Sequence, residues 1–311
     1  RPAPHPSREI MALDNWLKPP VALVALVGKN EIHQVIIDNM PKLKRLHFIS
    51  KDLYDPFIKP KMKAEIKDWD TFTPKGILKS NWMDKHRNGI PAVVCLLYEW
   101  DEGKDWNAQT ITVSAMVNNF RVRNQERNFE VVVLVVRHRN AREDEGHLEE
   151  KHRSMGRDAG LSSRCILVLT TTDLKASLKR MEEQLHSLSC RKYKEIYRQV
   201  KRRKDRVPRS IRRMQVRYHF KMGFYAELFS EQGEREVALS HYNSSYSYLN
   251  QIKAHKESES VIELKTVAEL VAFKIVYLQL QMNRVKEAIE HFRTHINTYR
   301  DHHHHHHHHH H

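Results

Sequence analysis

The sequence predicts an α/β domain followed by an all-α one: a doubly wound parallel sheet of about five strands, then an α-solenoid of degenerate tetratricopeptide-like hairpins. Three observations predict this. Short apolar runs without polar alternation recur up to Thr170, and a strand apolar on both faces is buried on both faces, as at the centre of a parallel sheet. Helical patterns separate the runs, which argues for β–α–β units with right-handed crossovers and helices on both faces. Beyond Leu174 apolar residues recur only at spacings of three and four.

In chain order, residues 1–18 hold Pro2, Pro4 and Pro6 with little apolar periodicity and are expected to form a disordered lead-in. Val21 to Gly28 is a buried strand, and Asn30 is expected to cap a helix whose face carries Ile32, Val35, Ile36 and Leu43. Leu46 to Ser50 is a second, shorter strand. From Lys51 to Phe72 the pattern breaks at Pro56 and Pro60, as in a long surface excursion. A short helix follows, with Ser80 as cap, Trp82 and Met83 as apolar surface and Gly89 as stop; Trp82 is expected to be buried against the central strand. That strand is the apolar run from Pro91 to Tyr98, and Glu99 and Asp101 mark its exit from the core. Asp105 to Arg123 is a helix despite the β-branched Ile111, Thr112 and Val113. Phe129 to Val136 is strand four, Arg137 to Glu145 a charged loop, Gly146 to Ala159 a polar helix, and Arg164 to Thr170 strand five. Strand order 2-1-3-4-5 puts the fully apolar third strand in the middle, where it belongs.

After Asp173, expected as a cap, Leu174, Leu178, Met181, Leu185 and Leu188 mark a long helix running to about Lys204, broken by Pro208. Four more helices follow, marked by Ile211 to Phe229, Ala238 to Leu249, Leu264 to Met282 and Val285 to Ile296. Val237–Tyr242 parallels Glu287–Phe292 at an offset of fifty positions (287 − 237), and a small residue followed four later by an aromatic is how tetratricopeptide-type hairpins pack. The domains so read are 19–173 and 174–301, the latter the start of a longer solenoid. His302 to His311 is an expression tag.

Lys plus Arg number 53 against 38 Asp plus Glu, a formal net charge of +15, which favours an acidic partner. Three cysteines without a Cys-x-x-Cys, with Cys95 and Cys165 in apolar strand runs, fit buried thiols in a reducing cytosol. No apolar run approaches the roughly 18 residues of a spanning helix. Asn243-Ser244-Ser245 matches a glycosylation sequon, read here as chance.

The chemistry-bearing candidates are few. Gly28-Lys29-Asn30 stands where a phosphate loop would, yet Gly-x-x-x-x-Gly-Lys-Ser/Thr and Gly-x-Gly-x-x-Gly are both absent, so a plain strand-to-helix turn is the better reading and no cofactor is expected. There is no Gly-x-Ser-x-Gly elbow. His33, His47, His86, His138, His147 and His152 are scattered and read as surface residues; His147 and His152 lie five apart, off the spacing of a helical metal pair. Glu99 and Asp101 lie where α/β sheets place catalytic groups but have no identifiable partner in sequence. The sharpest feature is the run from Arg191 to Arg217, in which only Glu195 and Asp205 oppose the cations. Within it Lys201, Arg202, Arg203, Arg212 and Arg213 are the candidate contacts for an anionic membrane or an acidic partner. Nucleic acid is the weaker reading, since no aromatic stacking platform interleaves the run.

Four blocks carry a family resemblance: PKGILKSNWMDKH with PAVVCLLYEWD in residues 74–101, YHFKMGFYAEL in 218–228, KAHKESESVIELKTVAELVAFKI in 253–275, and AIEHFRTHI in 288–296. Together they resemble the foie gras domain, the N-terminal part of subunit eleven of the transport protein particle, a vesicle-tethering complex. The resemblance implies a non-catalytic scaffold arm that docks on the other subunits of the particle in ER-to-Golgi traffic. It implies a cytoplasmic protein peripheral on ER–Golgi intermediate or cis-Golgi membranes, and an indirect part in Rab GTPase activation by the core of the complex. It implies no small-molecule substrate. The rival readings are a nucleotide-binding α/β enzyme and a basic module for nucleic acid or membrane.

Overall fold

The structure, a computed structural model, describes residues 16–42, 44–60, 66–72, 74–79, 81–138, 145–230, 235–255 and 261–308, with only the backbone of 145–149, 254–255 and 301–308. The chain forms two compact units. One comprises Val21–Lys63 and Lys85–Lys192 and holds the sheet; the other comprises Arg1–Pro20, Ala64–Asp84 and Tyr193–His311 and holds the helical array.

In the sheet unit, strands β1 (Ala22–Val27), β2 (Leu46–Lys51), β3 (Val93–Glu99), β4 (Glu130–Arg137) and β5 (Ile166–Thr170) lie in the order β2-β1-β3-β4-β5. Every pairing is parallel, with Leu26 opposite Cys95 and Cys95 opposite Val132. The physical reason is the apolar content of the runs. β1 is buried throughout, β3 over its first five residues and β4 beyond Glu130, whereas the edge strand β2 is half exposed. The crossover helices are α1 (Asn30–Asp38), α2 (Trp106–Arg123) and α3 (Glu145–Asp158). Asp105 caps α2 by accepting from the Ala108 amide at 3.3 Å. Its β-branched residues divide between faces: Val113 is in the core and Ile111 is exposed. Phe57 anchors the early part of the Lys51–Phe72 excursion, its ring edge-on to Phe120 at 6.0 Å and tilted on Phe129 at 4.9 Å.

Several local expectations are corrected. Asn30 is not the cap of α1; Lys29 is, in a left-handed conformation with no side-chain bond, and Asn30 is the first helical residue, its amide donating to Asp52. Helix α1 ends at Asp38, and Leu43 lies outside the described residues. Cys165 sits in a 3-10 turn (Ser163–Cys165) ahead of β5, not within the strand, although it is buried as expected. The short helix is one turn, Trp82–Asp84, that widens into a π turn over Lys85–Gly89. Ser80, most of the 1–18 lead-in and most of the charged loop after Arg137 fall outside the described residues.

The helical unit contains the second half of α4 (Leu174–Asp205), then α5 (Arg212–Phe229), α6 (Glu236–His255), α7 (Val261–Gln281) and α8 (Val285–His308). No strand follows β5 among the described residues. Hairpin α5–α6 closes at Gly223, where a Cβ would meet the Tyr242 ring at 2.7 Å, so the glycine lets a buried aromatic reach the α5 backbone. Ser245 donates to the Val216 carbonyl at 3.0 Å within the same contact and is buried, while Asn243 of the sequon is exposed. Tyr246 and His295 Nδ1, 2.7 Å apart, and Tyr299, donating to Asn250 at 3.0 Å, tie α6 to α8. Asn283, at φ 59°, turns α7 into α8. The two similar helices differ at the aromatic: Tyr242 is fully buried, whereas Phe292 is exposed.

Trp82 is buried, as expected, and within the helical unit it is held by aromatic side chains. It packs edge-on against Phe224 at 5.0 Å, Phe220 at 6.1 Å and Tyr225 at 6.1 Å, all on α5. Aromatic rings prefer such edge contacts to a face-to-face sandwich.

Candidate interaction surface at the α4–α5 junction

The second half of α4 is amphipathic at spacings of four and three. Tyr193, Tyr197 and Val200 turn inward: Tyr193 stacks on Tyr225 at 6.2 Å, and Tyr197 meets Phe229 edge-on at 5.2 Å. The Tyr197 hydroxyl lies 2.6 Å from His241 Nε2. After Asp205 the chain turns through Val207, which is buried, and Pro208. Gln215 of α5 donates to the Val207 carbonyl at 3.0 Å, fixing the turn.

This local structure sorts the basic run. Lys201, Arg202 and Arg203 are exposed on the last turn of α4; Arg212 and Arg213 are half-buried on the first turn of α5, where Arg212 donates to Gln251 at 3.4 Å. Lys194, Arg198, Arg206 and Arg209 are exposed nearby in sequence. Cations at the end of α4 complement its dipole, but two arginines in the first turn of α5, with no acidic residue there, oppose the dipole. Three cations are committed elsewhere. Arg191 pairs with Glu130 at 2.6 Å, Lys192 is buried, and Arg217 donates to the carbonyls of Gly76 at 2.7 Å and Ile77 at 3.0 Å. Burial lowers the pKa of Arg217.

Beneath the cations lies a histidine pair. His219 and His241 face each other through Nδ1 atoms 3.1 Å apart, and His219 stacks on Tyr248 at 5.8 Å. Burial first, then His241 and Lys204, hold the His219 pKa down at about 4; burial, then Lys204 and Lys201, do the same to His241. Both rings are therefore neutral at pH 7 and act as hydrogen-bonding core residues.

At the carboxyl ends of the strands, Glu99 pairs with His138 at 2.6 Å, and Thr171 lies 3.4 Å from the other nitrogen of that ring. The three groups bracket the ends of β3, β4 and the turn after β5. His138 is half exposed, and the Thr171 distance is long for a hydrogen bond between a nucleophile and its base. Asp101 accepts from the Gly103 amide at 2.9 Å. The Gly28 carbonyl is only 2.6 Å from His33 Nε2, so the turn at Gly28-Lys29-Asn30 is closed by the protein's own groups. His33 and His152 are buried, contrary to the surface reading. His152 lies against Trp106 at 5.7 Å, with its pKa pushed down to about 4 by burial. The His147 side chain is outside the described residues. Among the described residues no group of three or more His, Cys, Asp or Glu could hold a metal ion, and no helix is long and apolar enough to cross a membrane.

The blocks that carry the resemblance meet in the helical unit. Glu263 of the third block accepts from the Ile77 amide of the first at 2.7 Å, while Arg217, beside the second block, holds the Gly76 and Ile77 carbonyls. Glu227 of the second block forms a buried ion pair with Lys274 of the third at 3.0 Å, and Tyr242 donates to Glu227 at 2.6 Å. Lys274 also donates to the carbonyls of Leu17 and Lys18 at 3.4 and 3.3 Å. Sequence reasoning missed these residues. The signal was present: Lys274 occupies the apolar register of Val267, Val271 and Leu278, where an unpaired charge would be costly.

Comparison with known proteins agrees with this convergence. Residues 70–178 match the family model described as the trafficking protein particle complex subunit 11 N-terminal domain. Proteins named trafficking protein particle complex subunit 11 from Gallus gallus, Bos taurus and Homo sapiens are each 28% identical over 291 residues, covering 89% of this chain. The chain spans about a quarter of the length of those relatives, 25% in each case. The resemblance read from four dispersed blocks is thus borne out: along most of its length the chain is similar to about a quarter of trafficking protein particle complex subunit 11, and residues 70–178 match the N-terminal domain of that subunit.

Proposed function

We propose that this chain is the N-terminal arm of a non-catalytic scaffold subunit in a vesicle-tethering transport protein particle. The carrying observation is the similarity to subunit 11 over 89% of the chain, supported by three of the four blocks bonding to one another. On this reading its partners are the other subunits of the particle, it takes part in ER-to-Golgi traffic, and it supports Rab activation only through the core of the complex. It resides in the cytoplasm, peripheral on ER–Golgi intermediate or cis-Golgi membranes. Part of the proposal is that 19–173 and 174–301 serve as α/β and solenoid domains, the first a sheet without a ligand of its own. A thermal-shift screen with nucleotides beside a pull-down of defined particle subunits separates this reading from a nucleotide-binding enzyme. Subunit capture without a nucleotide shift supports it; the reverse overturns it.

The basic surface adds a membrane contact to the proposal. Lys201, Arg202, Arg203, Arg212 and Arg213 lie on two successive helix ends joined by a turn that Gln215 fixes. Each exposed cation near an anionic bilayer contributes about 1 kcal/mol, within a Debye length of about 8 Å. A handful gives weak, reversible binding, which suits a large assembly that touches the membrane at several points. Sedimentation with vesicles of graded phosphatidylserine content should show binding that rises with anionic lipid and weakens with salt. It should drop when all five cations become Glu. Salt-insensitive binding, or none at physiological ionic strength, assigns the surface to an acidic protein neighbour instead.

A further inference from the structure

The last hairpin carries an apolar face with no helix over it among the described residues. On α8, Val285, Ile289, Phe292 and Ile296 are 52, 45, 39 and 39% exposed. Their 4-3-4 spacing sets them on one stripe. Leu280 of α7, 46% exposed, and Val276 border it, and with Ala288 and Arg293 they line a groove of about 540 Å3. Phe292, which lines the groove, stacks on Phe273 at 6.3 Å. Beside the stripe, His295 and Tyr299 of α8 are buried, so that flank of the helix is already covered. Scattered exposed apolar residues are ordinary on a protein surface, but a contiguous grooved stripe marks an interface.

Charge narrows the occupant. With Ile289 and Ile296 at heptad positions a and Phe292 at d, the e positions are Lys286, Arg293 and Arg300, all exposed. A second copy packed antiparallel would set this cationic rail against itself, and like charges so placed repel. A flat bilayer matches a concave groove poorly. A helix with its own a/d stripe and an acidic flank satisfies both the groove and the rail. Helical-hairpin arrays bury their faces by stacking on the next unit, and the relatives are about four times the length matched here.

We propose that the α7–α8 groove seats a further helix of the same polypeptide, one with an apolar a/d stripe flanked by Asp or Glu, supplied by the part of the full-length protein that follows α8. The inference uses the relatives' length and not their function, so its failure leaves the trafficking proposal standing. The test is maleimide labelling of an Ile289→Cys variant, read at the peptide by mass spectrometry, in this chain and in the full-length protein purified alone at low concentration. The cysteine should react freely in the short chain and at least about tenfold more slowly in the full-length protein. Adding Lys286→Glu, Arg293→Glu and Arg300→Glu should restore labelling in the full-length protein while leaving the melting temperature of the short chain unchanged. Equal labelling in both proteins overturns the proposal. So does protection of the short chain that grows with concentration, which means a second copy, or protection of the full-length protein only when vesicles or another subunit are added. Protection that survives the three charge reversals overturns the acidic flank.

Discussion

At the scale of single residues, Lys274 and Glu227 place a charge pair where the periodicity of α7 and α5 calls for apolar side chains. Both are almost fully buried, and Tyr242 and the carbonyls of residues 17 and 18 complete their hydrogen bonds. Removing one partner strands the other, so Lys274→Ala should cost about 3–5 kcal/mol in urea unfolding, whereas Lys274→Met with Glu227→Gln should recover much of that loss. A double variant as unstable as the single one would show that the loss lies in packing and not in the stranded carboxylate. Trp82 is the second test. Its ring is held by three aromatic side chains of α5, and Trp82→Ala should cost about 3–5 kcal/mol by leaving a cavity among them. An unchanged melting temperature would contradict that packing. That Trp82 is buried was legible in its sequence; its aromatic partners on α5 were not, because they lie far along the chain and no local pattern encodes such a pairing.

At the scale of elements, β1, β3 and β4 and their order were legible because a strand buried on both faces leaves an unbroken apolar run. The helices were legible by their spacing. Helix termini were less so: Asn30 looked like a cap, but Gly28 at φ 80° and Lys29 at φ 51° turn the chain first, and its amide finds Asp52 instead. The basic junction was legible as a run of like charge, but only the structure separates Lys201, Arg202 and Arg203, which face solvent, from Arg191, Lys192 and Arg217, which are committed or buried. The histidines beside that junction were not legible at all as core residues. His219 and His241 are neutral in the fold with pKa values near about 4, below the ordinary 6.5, chiefly through burial. The unfolded chain therefore binds more protons between these values, so stability is complete above about pH 6.5 and is lost as pH falls toward 4. Thermal melts across that window should show the decline, and it should be shallower for His219→Gln with His241→Gln, measured relative to that variant's own stability at pH 7.5. A decline of equal steepness would place the titrating groups elsewhere.

At the scale of the whole molecule, the account joins a buried parallel sheet, whose strand-end turn after β1 is closed by its own side chains, to a helical array whose blocks of resemblance hold one another. The most direct measurement is incorporation. Purified transport protein particle assembled without its own subunit 11 is mixed with this chain and followed by size-exclusion chromatography with mass photometry. The account predicts that the chain co-elutes with the particle at a fixed stoichiometry, and that this persists when the five junction cations are reversed and vesicle binding is lost. A chain that melts cooperatively, yet elutes alone at every concentration tested, would contradict it.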